Sequence, residues 1–184
     1  MDRNEAVALI REHVKGDFLF KHMLATEAIM KEVAAFLGEN VDLWGLTGLL
    51  HDIDFEETKE NTGQHGILAE KYIGGKVPGE VVRAINAHAS EYNGAPAPSN
   101  KMEIALLSAD AITGLVVAAA LVKPDKKLSS VTVESVRNAF KKKGFAAGSN
   151  RNNIKRIEEI GIPLDKFFEL SLTAMQKIAP QLGL

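Results

Sequence analysis

Apolar residues recur along this chain at spacings of three and four, and no stretch sustains the apolar/polar alternation of β-branched residues that a half-buried strand requires. The pattern predicts an all-α protein. A short helix over Arg3–His13 is followed by one over Asp17–Phe36, in which Phe18, His22, Ala25, Ile29, Val33 and Phe36 share a face, so that His22 points inward. Gly38-Glu39-Asn40 ends that helix, and Asp42 reads as the N-cap of the next, whose apolar run from Leu43 to Leu50 closes on His51-Asp52. Glu56 to Asn61 is polar and reads as a loop. Thr62 then caps a helix carrying His65, Leu68, Ala69 and Tyr72, stopped by Gly74-Gly75. Pro78 opens another helix, lined on one face by Val81, Ile85, His88 and Ala89.

Asn93 to Ser99, rich in small residues, proline and glycine, interrupts the helical pattern. Ser99 or Asn100 caps a long apolar helix with Leu106, Asp110, Thr113 and Val117 on its inward face. From Ile104 to Val122 this helix has the length and apolarity of a membrane span, but an Asp near the middle of a span costs about 2.5 to 3.5 kcal/mol, and a buried core helix is the better reading. Beyond Pro124 three shorter patterns follow, over Thr132–Lys142, Ser149–Ile160 and Pro163–Ala179. The last is strongly amphipathic through Phe167, Phe168, Ser171, Ala174, Met175 and Ile178, and its apolar face is a candidate homodimer surface. The expected architecture is a single domain over residues 1–184, with a motif-bearing helical bundle over 18–122 and a small C-terminal helical subdomain over 125–184 packed on the same core.

Composition narrows the chemistry. A net charge of −2 gives no electrostatic case for a nucleic acid polymer or an anionic membrane as partner. The chain has no cysteine, which excludes disulfides, thiolate catalysis and cysteine-ligated zinc or iron–sulfur centres. Metal chemistry here must use His, Asp and Glu. The N-terminus, Met1-Asp2-Arg3-Asn4-Glu5, lacks the apolar stretch of a signal peptide, and a cytoplasmic location is expected.

Against that background His22, His51, Asp52 and Asp110 stand out, each placed in or beside an apolar segment where a polar group is costly without a partner. Imidazole nitrogens and carboxylate oxygens are the usual ligands of catalytic divalent metals. Helix bundles build such sites from side chains on separate helices. Neighbouring residues on a helix diverge by about 100°, so His51 and Asp52 reach one ion only at the helix end. A lone His on an apolar face is more often a hydrogen-bonded core residue than a ligand, but an Asp inside an apolar helix shifts the balance for the set as a whole.

The ordered set His22, His51-Asp52, Asp110 in a helical chain resembles the HD-domain superfamily of metal-dependent phosphohydrolases, with the resemblance covering roughly Phe18 to Val122. It implies that His22, His51, Asp52 and Asp110 ligate a first metal. His65 and His88 occupy the order seen in binuclear members, where the intervening histidines hold a second metal and the Asp of the pair bridges both ions. The implied cofactors are one or two divalent ions per chain, iron, manganese or zinc, which polarise a phosphoryl group and generate a hydroxide nucleophile. The chain departs from the common His-Asp-Ile-Gly continuation: it reads His51-Asp52-Ile53-Asp54. Asp54, a candidate catalytic residue beside Asp52, is a general base or the orienter of a ligating His, with a solvated loop acid or helix cap as the plainer alternative. The stretch His88-Ala89-Ser90-Glu91-Tyr92-Asn93-Gly94-Ala95-Pro96 argues against the cyclic-dinucleotide phosphodiesterase branch.

The segment Lys141 to Arg151 joins cations, two glycines and a helix start, and Lys143 and Arg151 are candidate substrate phosphate contacts, with a solvated basic helix end as the alternative. The expected function is metal-assisted hydrolysis of a phosphate ester, a nucleotide or another small phosphorylated metabolite. The alternatives are a di-iron oxygenase on the same ligands and a non-catalytic module that binds a nucleotide or a metal.

Overall fold

The computed structural model of the protein describes residues 1–184 and contains helices and turns but no strand. In chain order the helices are α1 (Arg3–His13), α2 (Asp17–Leu37), α3 (Val41–Leu50), α4 (Phe55–Thr58), α5 (Ala69–Ile73), α6 (Gly79–His88), α7 (Ser90–Asn93), α8 (Lys101–Leu121), α9 (Val133–Lys141), α10 (Arg151–Lys155), α11 (Leu164–Lys177) and α12 (Ala179–Leu182). Three 3₁₀ turns, Thr62–Gln64, Leu128–Ser130 and Arg156–Ile160, lie between them.

Local chemistry sets these boundaries. Asp2 and Glu5 form a reciprocal capping box on α1, and Gly38 ends α2 in the left-handed region at φ +69°. Asn40, not Asp42, caps α3: its side chain accepts from the Leu43 N–H at 3.0 Å, because the helix begins two residues earlier than the apolar run indicates. The helix expected through His65 is absent. Gly66 stands at φ +78°, and a Cβ there would come within 2.8 Å of the Ile85 carbonyl oxygen, so the chain turns tightly against α6 and resumes a helix only at Ala69. Phe18 is 83% exposed and Phe36 is also exposed, although both share the apolar face read from the sequence. The 21-residue α2 is about 30 Å long, twice the length of its main partner α3, and its ends overhang.

Helix α8 is the axis of the fold, packed against α2, α3, α6, α9, α10 and α11. It passes the length and hydropathy test for a membrane crossing, yet 67% of that stretch is buried among the other helices. One apolar cluster runs from Ala6 through Ile29 and Leu106 to Phe167, Phe168 and Leu182, so the C-terminal helices share their core with the motif-bearing helices. The apolar face of α11, expected as a dimer surface, is turned into this core through Phe167, Phe168, Ala174 and Met175.

The start of α8 is fastened by Glu103. Its carboxylate accepts from the Ser99 N–H at 2.8 Å, the Asn100 side-chain amide at 2.7 Å and Arg83 Nε of α6 at 2.7 Å, while Asn100 caps the helix through the Glu103 N–H. Burial pushes the Glu103 carboxyl upward, but the Ser99, Arg83 and Asn100 donors outweigh it and hold its pKa below the ordinary glutamate value. A lowered folded-state pKa is stabilising above the unfolded value and is lost as pH falls through the folded one. Glu103→Ala is therefore expected to cost about 1–3 kcal/mol at pH 7. The gap to wild type should close as pH drops below the glutamate range, read by urea unfolding across pH.

Candidate metal centre

Five elements deliver the site. His22 lies on α2, Asp110 on α8, and His88 is the last residue of α6. His51 and Asp52 follow the end of α3, whose Gly48 lies so close to α2 that a Cβ would meet the Thr26 carbonyl oxygen at 2.9 Å. That glycine contact brings His51 against His22. His65 comes from the turn before α5.

The functional atoms converge in two overlapping sets. In the first, His22 Nε2 stands 3.1 Å from His51 Nε2, 3.1 Å from Asp110 Oδ1 and 3.5 Å from Asp52 Oδ2, and His51 Nε2 stands 3.3 Å from the same Oδ2. In the second, the other oxygen, Asp52 Oδ1, is 3.3 Å from His65 Nε2 and 3.5 Å from His88 Nε2. Asp52 thus faces both sets, one oxygen to each.

Each imidazole is oriented by its other nitrogen. His51 Nδ1 donates to the Gly48 carbonyl at 2.8 Å, His88 Nδ1 to the Ile85 carbonyl, and His65 Nδ1 to Asp54 Oδ1 at 2.9 Å. Thr113 Oγ1 gives its one proton to the Asp110 carbonyl at 2.8 Å, which leaves it to accept from His22 Nδ1 at 3.0 Å. With every Nδ1 protonated, all four Nε2 lone pairs face the carboxylates, and those of His22 and His51 face each other. Such an arrangement calls for cations between the donors, and the nitrogen and oxygen set fits divalent first-row metals.

Electrostatics follow the same lines. Burial raises the Asp52 carboxyl, but His51, His65 and His88 together hold it well below the carboxylate range. Asp110 is also lowered, with burial and Asp52 opposing His22 and His51. His51 is raised, burial working against the charged ring and Asp52 outweighing it. Burial likewise disfavours charged His65, yet hydrogen bonds to Asp52 and Asp54 push it up to about 10.

All six residues read as ligands from the sequence meet here, with one difference of environment. The Asp110 side chain is 35% exposed and walls a cavity of about 210 Å³. Of the two readings of Asp54 the geometry fits the orienter of a histidine: it is buried, with Oδ1 on His65 Nδ1 and Oδ2 accepting the Ala69 N–H at 3.0 Å, so neither oxygen is free to act as a general base. The Arg151 guanidinium is turned away from substrate and donates to the carbonyl oxygens of Ala139, Phe140, Phe145, Ala146 and Ser149, which corrects its reading as a phosphate contact. Lys143 is on the exposed surface outside the cavity lining. The same stretch reaches the cavity instead through Gly148, Asn150 and Asn153, uncharged residues that carry no phosphate-binding signal in the sequence. Thr113 was legible only as an inward-facing polar residue; its role depends on the tautomer of His22.

Comparison with known proteins agrees with this geometry. The family model described as HD domain matches residues 19–117. The chain is also 34% identical over 103 residues to ribonuclease Y of Desulfotalea psychrophila (strain LSv54 / DSM 12343). That match takes in 54% of this chain and only 18% of the relative.

Proposed function

Because the chain belongs to the HD-domain family, we propose that it is a metal-dependent phosphohydrolase that binds two divalent ions and acts on a small phosphate ester. The observation that carries this reading is the carboxylate of Asp52, which offers one oxygen to each of two sets of imidazole nitrogens. Bound divalent metals supply Lewis acidity toward a phosphoryl oxygen and acidify water. The chain's own residues do the rest. His22, His51 and Asp110 complete one half with Asp52, His65 and His88 complete the other, and Asp54 and Thr113 hold the rings in register. The cavity wall beside Asp52, His65 and Asp110 gives an ester room to approach the cluster.

The name of the relative attaches RNA to that protein. In this chain a net charge of −2 and a cavity lined by neither Lys nor Arg favour a small ester over a polyanion, whose backbone needs a cationic track. Elemental analysis of anaerobically purified protein is expected to give two iron, manganese or zinc ions per chain, with hydrolysis of p-nitrophenyl phosphate by the loaded protein. Oxygen uptake by the iron-loaded form without phosphate release would overturn the reading in favour of an oxygenase. Metal binding without turnover of any ester would favour a regulatory module.

A further inference from the structure

The cavity beside the metal ligands has a second wall that takes no part in binding metal. Glu91 and Tyr92 of α7 form one side, Asn150 and Asn153 of the α10 segment another, and Phe55 of α4 a third. The space of about 210 Å³, half-open to solvent, falls below the roughly 300–1,000 Å³ of sites for drug-sized ligands. Beyond a phosphoryl group it admits only a small organic part.

The charge of this wall is one-sided. No Lys or Arg lines the cavity, and Glu91 is its one acidic side chain apart from Asp52 and Asp110. Glu91 makes no hydrogen bond or ion pair of its own, unlike Glu27 with Arg3 and Lys31, Glu57 with Tyr72 and Glu103 with Arg83. Glu91 is exposed and stands at the rim of the cavity. The turn that carries it is anchored by Asn93, which donates to the carbonyl oxygens of His65 at 2.7 Å and Asn86 at 2.9 Å and accepts from the Ala95 N–H at 2.8 Å. A carboxylate at the rim of a cavity lined by no Lys or Arg attracts a cation and repels a second anion.

Resting on the phosphohydrolase reading, we infer that the substrate is a small phosphate monoester whose organic part carries an ammonium group, and that Glu91 selects it. A second phosphate or a carboxylate on the substrate, with the phosphoryl group at the metal ligands, would meet Glu91 with no Lys or Arg beside it. The asparagines offer neutral hydrogen-bonding groups, and Phe55 and Tyr92 an apolar surface, for the remainder of a short chain.

Three esters of similar size test this with manganese-reconstituted protein: 2-aminoethyl phosphate, 2-hydroxyethyl phosphate and carboxymethyl phosphate. Wild type is expected to show kcat/KM falling in that order, by about tenfold at each step at low salt and by less at high salt. Glu91→Gln should bring the ammonium-to-carboxylate ratio close to one, and Glu91→Lys should invert it. Equal kcat/KM for the three esters in wild type, or the wild-type order kept in Glu91→Gln, would overturn the inference while leaving the phosphohydrolase reading standing. Failure to hydrolyse any ester, p-nitrophenyl phosphate included, would instead remove that reading. Calorimetric Kd values for 2-aminoethyl and carboxymethyl phosphate then decide the charge preference alone: tighter binding of the ammonium ester upholds it, and equal binding overturns it.

Discussion

Asp52→Ala is expected to abolish metal retention in both halves of the cluster and to lower phosphate-ester hydrolysis by on the order of 10³-fold or more, since metal stabilisation of a phosphoryl transition state is worth several kcal/mol and each 1.4 kcal/mol is tenfold. Its two oxygens stand within 3.5 Å of all four imidazole Nε2 atoms, so no other single side chain serves both halves. Elemental analysis should fall from two ions per chain toward none. The apolar cluster does not include Asp52, and far-ultraviolet circular dichroism of the variant should match wild type. Retention of one ion with less than a tenfold drop in rate would show that the carboxylate does not bridge.

Asp54→Ala is expected to weaken the His65/His88 half selectively. Loss of a carboxylate that orients a ligating His typically costs 10–100-fold in metal affinity, and here Asp54 holds His65 with one oxygen while the Ala69 N–H anchors the other. The His22/His51/Asp110 half should keep its affinity, so a metal titration should split from one phase into two. Asp54→Asn, which retains an acceptor for His65 Nδ1, should rescue part of the loss; failure of either variant to move the second phase would refute the positioning role. The metal-free protein carries a further signature. His65 is held up to about 10 by Asp52 and Asp54 against the effect of burial, and nitrogen NMR of Asp54→Ala should show that value falling. A raised folded-state pKa stabilises below the unfolded histidine range and that contribution is lost as pH climbs through about 10. Metal must displace the same proton, so affinity at this half should strengthen with rising pH.

The helical class and the six His and Asp residues that converge were legible because these rest on short-range signals: three-and-four periodicity, caps, and titratable groups set in apolar helices. The joining of the C-terminal helices to the common core was legible in the same way, through the amphipathic run that ends in Phe167, Phe168 and Met175. What escaped depends on tertiary approach. The break before α5 follows from Gly66 lying against Ile85, a contact with no trace in local periodicity. The exposure of Phe18 follows from the overhang of α2, and the 35% exposure of Asp110 from a cavity that no single helix defines. Arg151 and Asp54 share a trait: each is a charged residue beside a suggestive motif that satisfies the protein's own backbone or a neighbouring side chain, which fits the reading of Asp54 as the orienter of a histidine and departs from that of Arg151 as a phosphate contact.

The Arg151 guanidinium, fanned across five carbonyl oxygens between Ala139 and Ser149, gives the segment before α10 a shape that does not depend on which side chains its other residues carry. Gly148, Asn150 and Asn153 are displayed to the cavity from that frame. Of these, Asn150 also caps α10 by accepting from the Asn152 and Asn153 N–H groups, so Gly148 and Asn153 are the ones that can be exchanged without rebuilding the loop. Descendants of this chain would be far less free to change Arg151 or Asn150, so variation of the other cavity-facing side chains and constancy of these two residues should travel together.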